Sequence, residues 1–177
     1  MPTKRTIQQL YDFFEPGQQD RSITPDRVQD LILSLQGGYG RISGNSSTAF
    51  TLQQNEWKVV NIATTLAPGA RQFVMPSPGR LQCLCEIPSL MVNSGFLTIQ
   101  TDGASIYEVA LGINGEVDTG SVSALRLPPG GGSGTVPLHN DFLQEANDFV
   151  EVFIRRIDGA VNPSVTHYHL SGRTYTE

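Results

Sequence analysis

Charge is scarce in this chain. Lys, Arg, Asp and Glu make up 16% of its 177 residues, against about 25% in an average soluble domain. A surface so poor in charge leaves room for burial against other subunits. Basic residues are the scarcer sign, 12 against 17 acidic, for a net charge of −5. Phosphate contacts need clustered Lys and Arg, so no nucleic-acid partner is expected. Apolar runs are short as well: none reaches the roughly 18 residues of a membrane span, and no membrane partner is expected. The opening decapeptide, Met1 to Leu10, is basic but has neither the apolar stretch nor the cleavage site of a signal peptide, so a cytoplasmic site of synthesis without export is expected.

Cysteine is nearly absent. Cys83 and Cys85 sit one residue apart. On an extended segment their thiols share a face roughly 6–7 Å apart, wider than the roughly 3.8 Å between the Cβ atoms of a disulfide. Two free thiols in a reducing compartment are the expectation.

Catalytic signatures are missing too. There is no Gly-x-Ser-x-Gly elbow and no phosphate-binding Gly-Lys-Ser/Thr, so nucleophilic and phosphate chemistry find no support. The Gly-rich stretch 127–136, with Pro128-Pro129-Gly130-Gly131-Gly132-Ser133-Gly134, contains no Lys and reads as a flexible surface loop. Asp141, Glu145, Asp148 and Glu151 lie close enough in sequence to raise paired-carboxylate chemistry. They read better as polar positions around a turn. Of the histidines His139, His167 and His169, the last two share a face of a strand. With Cys83 and Cys85 they would offer four ligands to tetrahedral zinc if the two strands were neighbours; a solvated or hydrogen-bonded histidine is the default. No catalytic residue, cofactor or metal is expected, and the chain is read as a non-enzyme.

What is present divides the chain at residue 38. In residues 1–38, Ile7, Leu10, Tyr11 and Phe14 fall on one helical face, and Glu15-Pro16-Gly17 ends that helix. A second helix has better punctuation. Thr24 is placed as N-cap, Pro25 takes the first turn and Asp26 suits the positive end of the dipole. Val28, Leu31, Ile32 and Leu35 form its apolar stripe before Gly37-Gly38 stops it. Helices this short are marginal alone and must pack on something.

From residue 39 to 177 the signals change to period two, with Gly and Pro (18 and 11 in the whole chain) marking frequent turns. Short β-favouring runs at 57–62, 72–75, 81–87, 96–100, 106–113, 149–157 and 165–170 argue for an antiparallel sandwich or barrel. The run from Phe149 through Val150, Val152, Phe153 and Ile154 is apolar at nearly every position. Such a strand is buried on both faces or faces a neighbouring subunit, which makes these five residues the candidate subunit interface. The single Trp57 reads as core, and Tyr107, Tyr168 and Tyr175 remain open between core and exposed sites.

Two resemblances add to this reading. The segment 24–35 followed by Gly37-Gly38-Tyr39-Gly40 resembles a leader of tailed-bacteriophage virion proteins, in which a short helical pair precedes a small β domain. The β part resembles the jelly roll of the complement globular head and tumour necrosis factor. Asn55-Glu56-Trp57-Lys58-Val59-Val60 is similar to its opening strand, and Ser77-Pro78-Gly79-Arg80-Leu81 to its Pro-Gly turn, with Arg80 where Tyr is usual. The run 108–115, ending in Asn114-Gly115, resembles the strand before an Asn-Gly hairpin. The run 145–154 resembles the family's turn-and-strand Gly-Asp-x-Val-Glu segment, with Asn147 where Gly is usual.

The resemblance implies a homotrimeric jelly-roll knob, residues 39–177, behind a helical anchor, residues 1–38. It also implies a virion protein made in the bacterial host cytoplasm. As a capsid decoration or cement protein it would dock on the major capsid protein through Ile7, Leu10, Tyr11, Phe14, Val28, Leu31, Ile32 and Leu35. The alternative is a tail or fibre knob that recognises the host surface.

Overall fold

The structure, a computed structural model, describes residues 37–84 and 88–175, with only the backbone of Tyr175. The expected helical leader and its eight candidate anchor residues lie outside the described residues, as does Cys85. Gly38–Tyr175 forms one compact unit.

Among the described residues, thirteen strands and one 3₁₀ turn follow in chain order. They are β1 (Tyr39–Gly44), β2 (Thr48–Ala49), β3 (Lys58–Val59), β4 (Thr65–Leu66), β5 (Phe73–Val74), β6 (Arg80–Cys83), β7 (Ser89–Thr101) and β8 (Ser105–Ile113). After β9 (Glu116–Val117) comes the 3₁₀ turn Thr119–Ser121, then β10 (Ser123–Leu127), β11 (Gly132–Gln144), β12 (Phe149–Asp158) and β13 (Ser164–Tyr175). The first sheet runs β11-β7-β13-β1-β4, with β2 beside β13. The second runs β10-β8-β12-β6-β5, with β3 beside β12 and β9 beside β8. Every strand ladder is antiparallel. The fold is thus a two-sheet antiparallel sandwich, as the period-two pattern requires.

Alternation along each strand sorts side chains into inner and outer sets. Met91, Leu97 and Ile99 of β7, Leu170 and Tyr168 of β13, Val109 and Leu111 of β8, and Val150, Val152 and Ile154 of β12 fill the space between the sheets. Two core tyrosines spend their hydroxyls on backbone. Tyr107 donates to the Val161 carbonyl at 2.6 Å and Tyr168 to the Gly79 carbonyl at 2.7 Å. Burial pushes both phenols up from their ordinary range, and the nearby Glu151 carboxylate pushes Tyr168 further.

Several expectations change here. Val150, Val152 and Ile154 belong to the intersheet core, their side chains pointing inward from β12. That strand is indeed buried on both faces, but the chain itself covers its outer one. Trp57 lies on the outer side of the second sheet under Arg155, not in the core. The segment 55–60 yields only the two-residue β3, so it does not open the sandwich; β1 does. The supposed loop 127–136 is mostly strand. A turn closes when Gly131 N–H donates to the Pro128 carbonyl at 3.1 Å, and β11 then runs 13 residues from Gly132. Gly134 lies close under the Leu125 side chain of the facing edge strand β10, which a Cβ would approach to 2.7 Å. Pro137 fits because β11 is an edge strand, where a missing N–H breaks no ladder on the open side.

Cys83 is disulfide-bonded, and Cys85 is the only other cysteine in the chain. Cys83 is therefore not the free thiol that was expected.

The turns follow their residues. Asn114 (φ 53°) and Gly115 (φ 92°) join β8 to β9 as a two-residue hairpin loop. Pro78-Gly79 makes the turn into β6, with Gly79 at φ 78° and Arg80 N–H donating to the Ser77 carbonyl. Asn147 stands at φ 71°, a left-handed position that Asn tolerates better than most residues.

Candidate functional site

The two outer faces of the sandwich differ. On the second sheet, cross-strand partners close the face with the chain's own groups. Arg80 and Glu151 are opposite in register, and the guanidinium donates from Nε to the buried carboxylate at 2.9 Å while lying 4.5 Å from the centre of the Phe149 ring. Arg155 and Glu108 repeat the arrangement, with Nη2 at 2.6 Å from the carboxylate and the guanidinium 4.4 Å over Trp57. Phe153 is buried on this same side. The absent side chain of Gly112 makes room for it, since a Cβ there would stand 2.5 Å from the ring. Of the five interface candidates, Phe149 and Phe153 therefore face outward, but both are engaged within the chain.

The outer face of the first sheet is bare. Leu90 (42% exposed), Phe96 (39%) and Leu143 (70%) all sit on it; among the described residues the only other large hydrophobic so exposed is Leu84. Register sets them at two places on the face. Leu143 of β11 is opposite Leu90 of β7, while Pro137, Phe96 and His169 form one row across β11, β7 and β13. The Phe96 and His169 rings stack at 5.2 Å and 6°. Between these groups run short polar pairs, Ser94 with Ser171 and Thr98 with Thr135, each at 2.9 Å. Along the strands of this face only Asp141, Arg41 and Arg173 carry a fixed charge.

All three histidines belong to this face. His167 and His169 share it, as their spacing implied, and His139 lies two strands away on β11, 3.7 Å from Asp141. Burial, and secondarily Arg41, holds His169 below its ordinary pKa. Cys83 lies in the core on the second sheet, so it is not brought together with the histidines, and no group of three or more His, Cys, Asp or Glu is placed to hold a metal among the described residues.

The carboxylates also separate. Glu151 pairs with Arg80, Asp141 faces outward from the first sheet, and Asp148 serves the turn, accepting from Asn114 Nδ2 at 2.7 Å and from Glu145 N–H at 2.8 Å. An open groove of about 490 Å³ lies beside the β11 edge, lined by Ile113, Asn114, Glu116, Val117, Asp118 and Phe142. Asn140 donates to Asp118 next to it. Sequence reasoning missed the bare face, because its apolar groups stand singly on separate strands.

This sheet order and connectivity define a jelly roll of the tumour necrosis factor type. Among solved structures the chain is similar to the Eiger TNF of S. frugiperda, at 10% identity and a TM-score of 0.52, covering 80% of this chain and 94% of that one. It is also similar to the globular domain of zebrafish complement 1qA protein, at 13% identity and a TM-score of 0.46, covering 80% and 100%. The first likeness shows the shared fold. No protein-family profile and no curated protein sequence matches the chain.

Proposed function

We propose that the chain is a structural virion protein and not an enzyme: a homotrimeric knob that decorates and stabilises the capsid of a tailed bacteriophage, held to the shell by residues 1–38. The observation that carries self-association is the contrast between the outer faces. One is sealed by arginine, carboxylate and aromatic groups of the same chain, while the other leaves Leu90, Phe96 and Leu143 in water. An apolar group of this kind on a charge-poor face marks an interaction surface. The phage assignment is supported by the likeness of residues 24–40 to virion-protein leaders. Three anchors on one trimer would multiply weak contacts through effective concentration.

The test is gold labelling of intact virions with an antibody to residues 39–177. Label spread over the head is expected. Label confined to the tail tip would favour the receptor-binding knob instead, and unlabelled virions would contradict both. Leu31→Asp combined with Leu35→Asp should remove the label and leave a soluble trimeric knob.

A further inference from the structure

The loop that joins β8 to β9 holds the chain's one Asn-Gly pair, Asn114-Gly115. In such a pair the glycine has no side chain to shield its amide nitrogen, which can attack the carboxamide carbon before it. Both residues are exposed, so water and base reach them. The carboxamide is nevertheless held at both its ends by the turn before β12. Phe149 N–H donates to Asn114 Oδ1 at 3.1 Å, and Asn114 Nδ2 donates to Asp148 Oδ1 at 2.7 Å. Asp148 is itself fixed, because Glu145 N–H donates to its other oxygen at 2.8 Å. The backbone is tied to the same place, with Asn114 N–H donating to the Phe149 carbonyl at 3.1 Å. Asn114 thus fastens the β8–β9 hairpin to the 145–148 turn. Its carboxamide must leave both partners before its carbon can meet Gly115 N.

We propose that Asn114 is a deamidation site that Asp148 holds closed, and that opening it is one-way. Once the tie opens, Gly115 N bonds to Asn114 Cγ and its proton passes to solvent base. The Cγ–Nδ2 bond breaks and ammonia leaves. Water then opens the resulting succinimide to aspartate or isoaspartate. Neither product restores the tie. The Nδ2 donor is gone, and a second carboxylate faces Asp148 where a hydrogen bond had been. Isoaspartate also routes the backbone through the side-chain carbon, which lengthens a loop whose fit depends on its two residues. Asn114 lines the groove together with Glu116 and Asp118, so either product adds a third acidic group to that wall.

Peptide mass spectrometry of the full chain, kept in mildly alkaline buffer, tests this by following conversion of the amide to the acid at Asn114. Conversion should be at least about tenfold slower in the native chain than in guanidinium chloride, where the tie is absent. Asp148→Ala should speed it about tenfold, the share expected of a charge-assisted hydrogen bond. Asp148→Asn keeps an acceptor oxygen and should stay close to the wild-type rate. Native and unfolded chains that convert alike would overturn the proposal, and this comparison needs no variant to fold. Conversion at one rate in wild type, Asp148→Ala and Asp148→Asn, each with the native circular dichroism spectrum, would overturn the role of Asp148. Asn114→Asp, which carries one of the products, should unfold at a lower denaturant concentration; an unchanged midpoint would overturn the one-way step.

Discussion

Val152 and Phe153 are adjacent on β12 and face opposite ways, the first into the core opposite Leu111, the second out over Gly112. Both are buried, so an apolar run alone cannot tell a core position from an outer position that the chain covers for itself. Val152→Asp places an unpaired charge between the sheets and should cost about 4 kcal/mol or more. Urea denaturation should show the isolated domain unfolding; a native-like midpoint would contradict the inward placement. His169 supplies a pH dependence of known sign. In the unfolded chain it titrates near 6.5, and in the fold burial and then Arg41 hold it lower. The unfolded chain therefore binds more protons below 6.5, so stability is complete above that pH and declines as pH falls from it toward the folded pKa. Around it stand Phe96 and Ser43 on the flanking strands and His167 and Ser171 on its own, with Arg41 the charge that acts on it. The drop in melting temperature between about pH 7.5 and 5.5 should be smaller in His169→Phe, which keeps the ring stack and removes the titration. An equal drop in both proteins would contradict this.

Legibility varied between elements for physical reasons. β8, β12 and β13 are rich in β-branched and aromatic residues, and their runs at 106–113, 149–157 and 165–170 match strands to within a few residues, except that β13 continues to Tyr175. β1 and β11 were not readable, because glycine, serine and proline occupy places where a strand signal would carry valine. In β1 the reason is close approach: a Cβ on Gly40 would stand 2.4 Å from Phe73 Cβ on the facing sheet. Gly40→Val should therefore destabilise by about 1–3 kcal/mol through overpacking. Phe73→Ala in the same chain should recover part of that loss, read as a coupling in denaturation midpoints. Additive losses would argue against the contact. The Asn114-Gly115 hairpin and the Pro78-Gly79 turn were legible because each residue meets a specific backbone demand. The candidate face was not, since Leu143 meets Leu90, and Phe96 meets Pro137 and His169, only through the registers of β7 with β11 and β13.

At the scale of the molecule, the asymmetry of the sandwich is the central feature. One face is sealed by two arginine–carboxylate pairs stacked on aromatic rings, whereas the opposite face leaves Leu90, Phe96 and Leu143 exposed. The most direct test is the native mass of the wild-type, full-length chain in dilute solution, measured by sedimentation equilibrium. The account predicts three times the 19.3 kDa of a single chain. A mass of 19.3 kDa at every concentration reached would contradict it.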